Sequence, residues 1–301
     1  MFDKLEAFTI QTQEHPSVLI RGIRTSNPEP DSPPLLLLHG FPQTYHIWHR
    51  IAPLLPTFNL VIPDLRGYGI SSKPAHDVSQ YAKSVMARDL IILMDALGFH
   101  DDFYICAHDR GARVAHKLLV DYPQRVRKAI LLDICPTLSM YELGHPDFAK
   151  AYFHWYMLIQ PTPLPETLLS GHPRQIAQMF LANKMADSGM NIFDVRVFEN
   201  YVKGFQDPET VHGWCQEYRA SATFDLDEAR DDLANGRLIR TPIRVLLGNK
   251  GIVAKLFDGL KEWQDVSAPG VEVSVKLVNS GHFIPEEIPE EVVLHIEEFF
   301  H

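Results

Sequence analysis

The run Phe103-Tyr104-Ile105-Cys106-Ala107 leads directly into His108-Asp109-Arg110-Gly111-Ala112-Arg113. Behind it, Ala112, Ala115, Leu118 and Leu119 recur at helical spacing. Strand, sharp turn and helix together lift one side chain above a sheet edge, and small residues at 107 and 111 bracket position 109 as such an elbow requires. The residue there is an aspartate, so the chemistry open to it is nucleophilic attack through a carboxylate oxygen with an ester as intermediate. No G-x-S-x-G occurs in the sequence, which removes the main requirement of a serine esterase or lipase. Asp is also a common helix N-cap, and the bracket alone leaves the two readings level.

Three further features favour the nucleophile. Leu35-Leu36-Leu37-Leu38 runs into His39-Gly40-Phe41-Pro42, where the backbone N–H of Phe41, with that of Arg110, is placed to form an oxyanion hole. Asp133 closes the apolar run Ala129–Leu132, and His282 follows the last such run in Ser280-Gly281-His282-Phe283. The order Asp109, Asp133, His282 supplies nucleophile, orienting acid and base. Arg110 and Arg113 fall in the first turn of the helix after the elbow, where cations oppose the macrodipole, so an anion is expected beside them; a structural ion pair is the alternative for Arg113.

The elements that must position these residues are legible as short apolar runs at Leu35–Leu38, Leu60–Ile62, Phe103–Ala107, Ala129–Leu132, Ile243–Leu247 and Val273–Val278. Helical stripes lie between several of them, as at Val85, Met86, Leu90, Leu93 and Leu97, so an α/β fold with a mostly parallel sheet is predicted. Ala7–Thr12 and Val18–Ile23 have no helix between them and predict an antiparallel hairpin at one edge; Val292, Val293, Ile296, Phe299 and Phe300 predict a closing helix. Between about 136 and 240 strand-like runs vanish and aromatics accumulate, which predicts a helical insertion overhanging the carboxyl edge of the sheet. The expected division is a core segment at 1–136, a helical cap at 137–240 and a second core segment at 241–301.

Composition excludes other classes. At 301 residues, 46% hydrophobic and 22% charged, the chain can bury a large core and is not disordered. Its net charge of −10, without a basic stripe, argues against nucleic acid. No apolar run approaches the ~20 residues of a membrane helix, and the first residues lack an apolar signal core, so a cytoplasmic protein is expected. Cys106, Cys135 and Cys215 are widely spaced without a CxxC and read as buried thiols. No HExxH, Walker loop or GxGxxG occurs, so no metal or organic cofactor is expected.

The strings His39-Gly-Phe-Pro-Gln-Thr44, His108-Asp-Arg-Gly-Ala-Arg113, Asp133-Ile-Cys-Pro-Thr137, His154-Trp155 with Gln160-Pro-x-Pro-x-Pro-Glu166, Tyr218-Arg-Ala220 and Gly281-His-Phe283 resemble the fluoroacetate (haloacetate) dehalogenases over nearly the whole chain. The resemblance implies an α/β-hydrolase fold with an eight-stranded sheet and a helical cap, and a homodimer. It implies that Arg110 and Arg113 hold a substrate carboxylate and that His154, Trp155 and Tyr218 receive the halide. Ala107 departs from the glycine usual before His-Asp in that family.

The implied reaction converts a haloacetate and water to glycolate and halide through an ester on Asp109, which water deprotonated by His282 then hydrolyses. An epoxide hydrolase shares the triad but uses two cap tyrosines; Tyr218 is one, with Tyr152 or Tyr156 as the second. The arginines suit an acidic substrate better than a neutral epoxide, and disfavour a haloalkane dehalogenase for the same reason. A non-catalytic ligand receptor on the same fold is a further alternative.

Overall fold

Alternate residues of each central strand enter two different cores. In β3 (Pro34–Leu38), Leu36 and Leu38 face one apolar layer while Leu35 and Leu37 face the other. In β5 (Phe103–His108), Ile105 and Ala107 take the first side and Tyr104 and Cys106 the second; β6 (Val126–Leu132) divides Ala129 and Leu131 from Ile130 and Leu132 in the same way. Strands buried on both faces need no polar alternation, which is why they read in the sequence as unbroken apolar runs. The computed structural model describes residues 2–74, 77–182 and 189–301. Residues 1 and 75–76 of the expected first core segment, and 183–188 of the expected cap, lie outside the described residues.

The remaining strands are β1 (Leu5–Gln13), β2 (Val18–Thr25), β4 (Asn59–Pro63), β7 (Ile243–Gly248) and β8 (Val273–Val278). They form one eight-stranded sheet of order β1-β2-β4-β3-β5-β6-β7-β8. β1 pairs antiparallel with β2, and β2 antiparallel with β4; every pairing from β4 to β8 is parallel. The predicted edge hairpin and the six predicted apolar runs are all present as strands; the last, β8, forms the opposite edge and is only partly buried. Ala107 pairs with Leu38 and Leu131 and is fully buried, so the methyl group is accommodated at the elbow.

Helices α1 (Lys83–Ala96) and α2 (Asp109–Asp121) bury their stripes in the first layer. Between β6 and β7 come α3 (Thr137–Glu142), α4 (Pro146–Ala151), α5 (Phe153–Leu158), α6 (Leu164–Ser170), α7 (Pro173–Ala182), α8 (Val195–Gln206), α9 (Pro208–Ser221) and α10 (Phe224–Ala234). Among the described residues of this stretch there is no strand. After β7 follow α11 (Val253–Leu256) and α12 (Gly259–Asp265), and after β8 come α13 (Ile284–Glu287) and α14 (Pro289–Phe300), whose Val292, Ile296 and Phe299 pack in the second layer. No helix among the described residues is long and apolar enough to cross a membrane.

Because β3 lies between β4 and β5, the sheet reverses its winding there, and the carboxyl ends of strands around such a point are where open α/β sheets bind ligands. The turns carrying Phe41, Asp109, Asp133 and His282 all leave from that edge.

Candidate active site

Asp109 has φ of +47°, in the left-handed region, although it carries a Cβ. Such a backbone costs on the order of 1–3 kcal/mol and persists only where the surroundings impose it. Here they do. A Cβ on Gly40 would collide with the Asp109 side chain, and one on Gly111 with the His39 carbonyl, so both glycines are required for the two turns to pass so closely. The N-cap of α2 is His108, and Asp109 is its first helical residue, so the simple N-cap reading of Asp109 fails.

The neighbouring loop supplies the first contact with the carboxylate: the Phe41 N–H donates to Asp109 Oδ1 at 3.0 Å. The loop is held by His39, whose Nε2 accepts from Leu65 N at 3.0 Å while its Nδ1 lies 3.1 Å from the Gly40 carbonyl. Burial lowers the pKa of His39, in keeping with a neutral imidazole that accepts at one nitrogen and donates at the other.

His282 Nδ1 stands 2.7 Å from Asp133 Oδ2, and His282 Nε2 3.5 Å from Asp109 Oδ2. Asp133 also has positive φ, +52°, and its second oxygen accepts from Gly248 N at 3.0 Å, so both carboxylate oxygens are used in fixing its direction. The loop of His282 is tied on both sides. Gly281 N and Phe283 N donate to the two oxygens of Glu287 at 3.0 and 3.1 Å, and His108 Nε2 lies 2.8 Å from the His282 carbonyl. Asp109, Asp133 and His282 are each at most 3% exposed.

Both arginines point into the same buried region, but each is partly committed. Arg110 Nε donates to Glu217 Oε1 at 2.9 Å and its Nη2 bonds Ser221 Oγ. Burial alone would lower the Arg110 pKa; the Glu217 carboxylate outweighs it and the net shift is upward. Arg113 Nη1 donates to the Cys135 carbonyl at 3.1 Å and Thr137 Oγ1 at 2.9 Å, and Nη2 to Met140 Sδ at 3.1 Å. Burial, then the neighbouring Arg110 charge, pull the Arg113 pKa down. The carboxylate in a structural pair is therefore next to Arg110, not Arg113. Neither arginine presents a free two-nitrogen fork; what remains is Arg110 Nη1 and Arg113 Nε, both buried and without a hydrogen-bond partner among the described residues.

The helical segment brings His154, Trp155 and Tyr218 to this point. The Tyr218 ring lies 5.8 Å from His154 and 6.4 Å from Trp155, with the Arg110 guanidinium 4.2 Å over the Tyr218 ring and that of Arg113 4.7 Å over Trp155. Trp155 Nε1 and Tyr218 Oη are buried without a hydrogen-bond partner among the described residues, and burial raises the Tyr218 pKa far above its ordinary value, so the hydroxyl keeps its proton. Of the two further tyrosines, Tyr152 is buried with its ring 6.3 Å from His282, while Tyr156 is 37% exposed.

Sequence reasoning missed Glu217. Its second oxygen accepts from Tyr68 Oη at 2.6 Å, and Lys83 Nζ lies 2.7 Å from its first. Burial pushes the Glu217 carboxyl up, but Arg110 and Lys83 outweigh it and hold it below the usual range. The available signal was an acid within the buried stripe Trp214, Glu217, Tyr218, Ser221 of α9, where an unpaired charge would be costly.

A groove of about 760 Å³ has walls that include Phe153, Met157 and Phe180, with Lys150 and Lys255 exposed and buried His154 facing it; neither Asp109 nor His282 lines it. A smaller cavity of about 80 Å³ behind Arg113 touches neither Asp109 nor His282.

The α/β hydrolase fold family profile matches residues 33–287. A fluoroacetate dehalogenase of Burkholderia sp. is 40% identical over 271 residues, 89% of this chain and 86% of that protein. A soluble epoxide hydrolase of Corynebacterium sp. is 28% identical, over 89% and 90% of the two chains. The crystal structure of an α/β hydrolase candidate from Nostoc sp. PCC 7120 superposes with a TM-score of 0.92 at 41% identity, covering 100% and 99% of the two chains.

Proposed function

The chain belongs to the α/β-hydrolase family as a fluoroacetate dehalogenase-like member, and from that premise we propose that it hydrolyses small halogenated carboxylates such as fluoroacetate or chloroacetate to the hydroxy acid and halide. One observation carries the reading. Around the Asp109 carboxylate, four buried donors on Arg110, Arg113, Trp155 and Tyr218 have no acceptor among the described residues. A buried donor left unbonded costs about 1–3 kcal/mol, so such a cluster is sustained by the ligand it receives. Two of the four sit on cations and two on ring-borne N–H or O–H groups, which matches a molecule with a carboxylate at one end and a halogen at the other.

In the first step an Asp109 oxygen attacks the α-carbon in line with the carbon–halogen bond; the C–O bond forms, the C–X bond breaks, and halide leaves with the bonding pair. Arg110 Nη1 and Arg113 Nε hold the carboxylate, while His154, Trp155 and Tyr218 solvate the departing halide. In the second step His282 takes a proton from water, and the hydroxide adds to the Asp109 carbonyl carbon. The Phe41 N–H, with the Arg110 N–H, holds the resulting oxyanion, and Asp133 steadies the imidazolium. Collapse expels the glycolate alkoxide, which takes the proton held by the His282 imidazolium; Asp109 returns to a carboxylate and the second water proton passes to solvent. Helices α3 to α10 act as the cap that covers the site.

An epoxide hydrolase is the second reading, favoured by the epoxide hydrolase relative and by Tyr152 beside His282. The charged arginines and the closed site oppose it. Incubating the protein with fluoroacetate, chloroacetate and styrene oxide separates the two: halide release with no diol supports the proposal, and diol without halide overturns it.

A further inference from the structure

Helix α3 does more than cover the arginines. Its Thr137 and Met140 bind the Arg113 guanidinium directly. The next residue, Tyr141, packs its ring 4.8 Å from Trp155 at an interplanar angle of 42°. Its hydroxyl is buried and has no hydrogen-bond partner among the described residues. Thr137, Leu138 and Ser139 line the small cavity behind Arg113, whereas Tyr141 does not. The charges it senses most are those of Arg110 and Arg113.

We propose that Tyr141 Oη is a third donor to the substrate carboxylate, beside Arg110 Nη1 and Arg113 Nε. This rests on the reading of the site given above. Because neither arginine offers a free fork, the two of them supply one nitrogen each, while a carboxylate accepts through about four lone-pair positions. A phenol on the Trp155 face of the cluster adds a donor that a guanidinium cannot, and its burial preserves the proton it must donate: desolvation raises its pKa above the ordinary value.

Tyr141→Phe removes only the oxygen and keeps the ring against Trp155. Chloroacetate turnover and acetate binding, the latter by isothermal titration, are measured on the parent and the variant together with chloride inhibition. The expected result is a rise of about tenfold in KM for chloroacetate and in Kd for acetate, with kcat within about twofold and chloride inhibition unchanged. Unchanged KM and acetate affinity would overturn the assignment, and so would a variant weakened toward chloride alone. If the parent released no halide, the dehalogenase reading would fall, while the acetate titration would still decide whether Tyr141 binds a carboxylate.

Discussion

His282 Nε2 lies 3.5 Å from Asp109 Oδ2, longer than an ordinary hydrogen bond. In the mechanism proposed above, His282 is not needed for the attack by Asp109, since a carboxylate requires no deprotonation, and acts only in the hydrolysis of the ester.

His282→Asn is expected to permit ester formation and block its hydrolysis. After incubation with chloroacetate, intact-protein and peptide mass spectrometry should find a carboxymethyl group on Asp109, with halide released in a single burst equal to the enzyme. Steady turnover by this variant would assign the base elsewhere.

Glu217 is buried between Arg110 and Lys83, so removing it strands two charges. Glu217→Ala should lower unfolding stability by about 3–5 kcal/mol in urea titrations. A loss below 1 kcal/mol would mean that the pair is not desolvated as the structure has it.

Glu286 Oε1 accepts from Tyr201 Oη at 2.7 Å, joining α13 to α8, and burial pushes its pKa up to about 8 from the ordinary 4.5. The sign follows from proton counts: between those values the folded chain holds a proton that the unfolded chain has lost, so this group makes stability fall as pH rises from about 4.5 to 8. Glu286→Gln keeps the neutral shape and should therefore gain Tm relative to the parent as pH is raised from 5 to 8. A constant difference across that range would show that Glu286 is ionised when folded.

Lys150 and Lys255 flank the groove facing His154 on a chain of net charge −10. Replacing both with glutamate should lower kcat/KM for chloroacetate several-fold at low salt and much less at 0.5 M salt, because steering of an anion is screened. Equal loss at both ionic strengths would indicate damage to the site instead.

The sheet and the meeting of Asp109, Asp133 and His282 were legible in the sequence because both are written in local signals: doubly buried strands as apolar runs, and turns in Gly40 and Gly111, whose close approach to Asp109 and His39 excludes a Cβ. Arg110 and Arg113 were legible as a pair, but their inequality was not. That inequality arises from Glu217, Ser221, Thr137 and Met140, which lie far along the chain and meet the arginines only once α3 and α9 have packed against α2. Tyr141 was silent for the same reason, since a tyrosine in a short helix reads as packing until its hydroxyl is found buried without an acceptor.

Whether an Asp109 oxygen or water displaces the halide is decided by a single turnover with enzyme in excess over chloroacetate in H₂¹⁸O. Attack by Asp109, as proposed, leaves the glycolate of that first turnover unlabelled and puts ¹⁸O in the Asp109 carboxylate; labelled glycolate with an unlabelled protein would mean that water attacks directly.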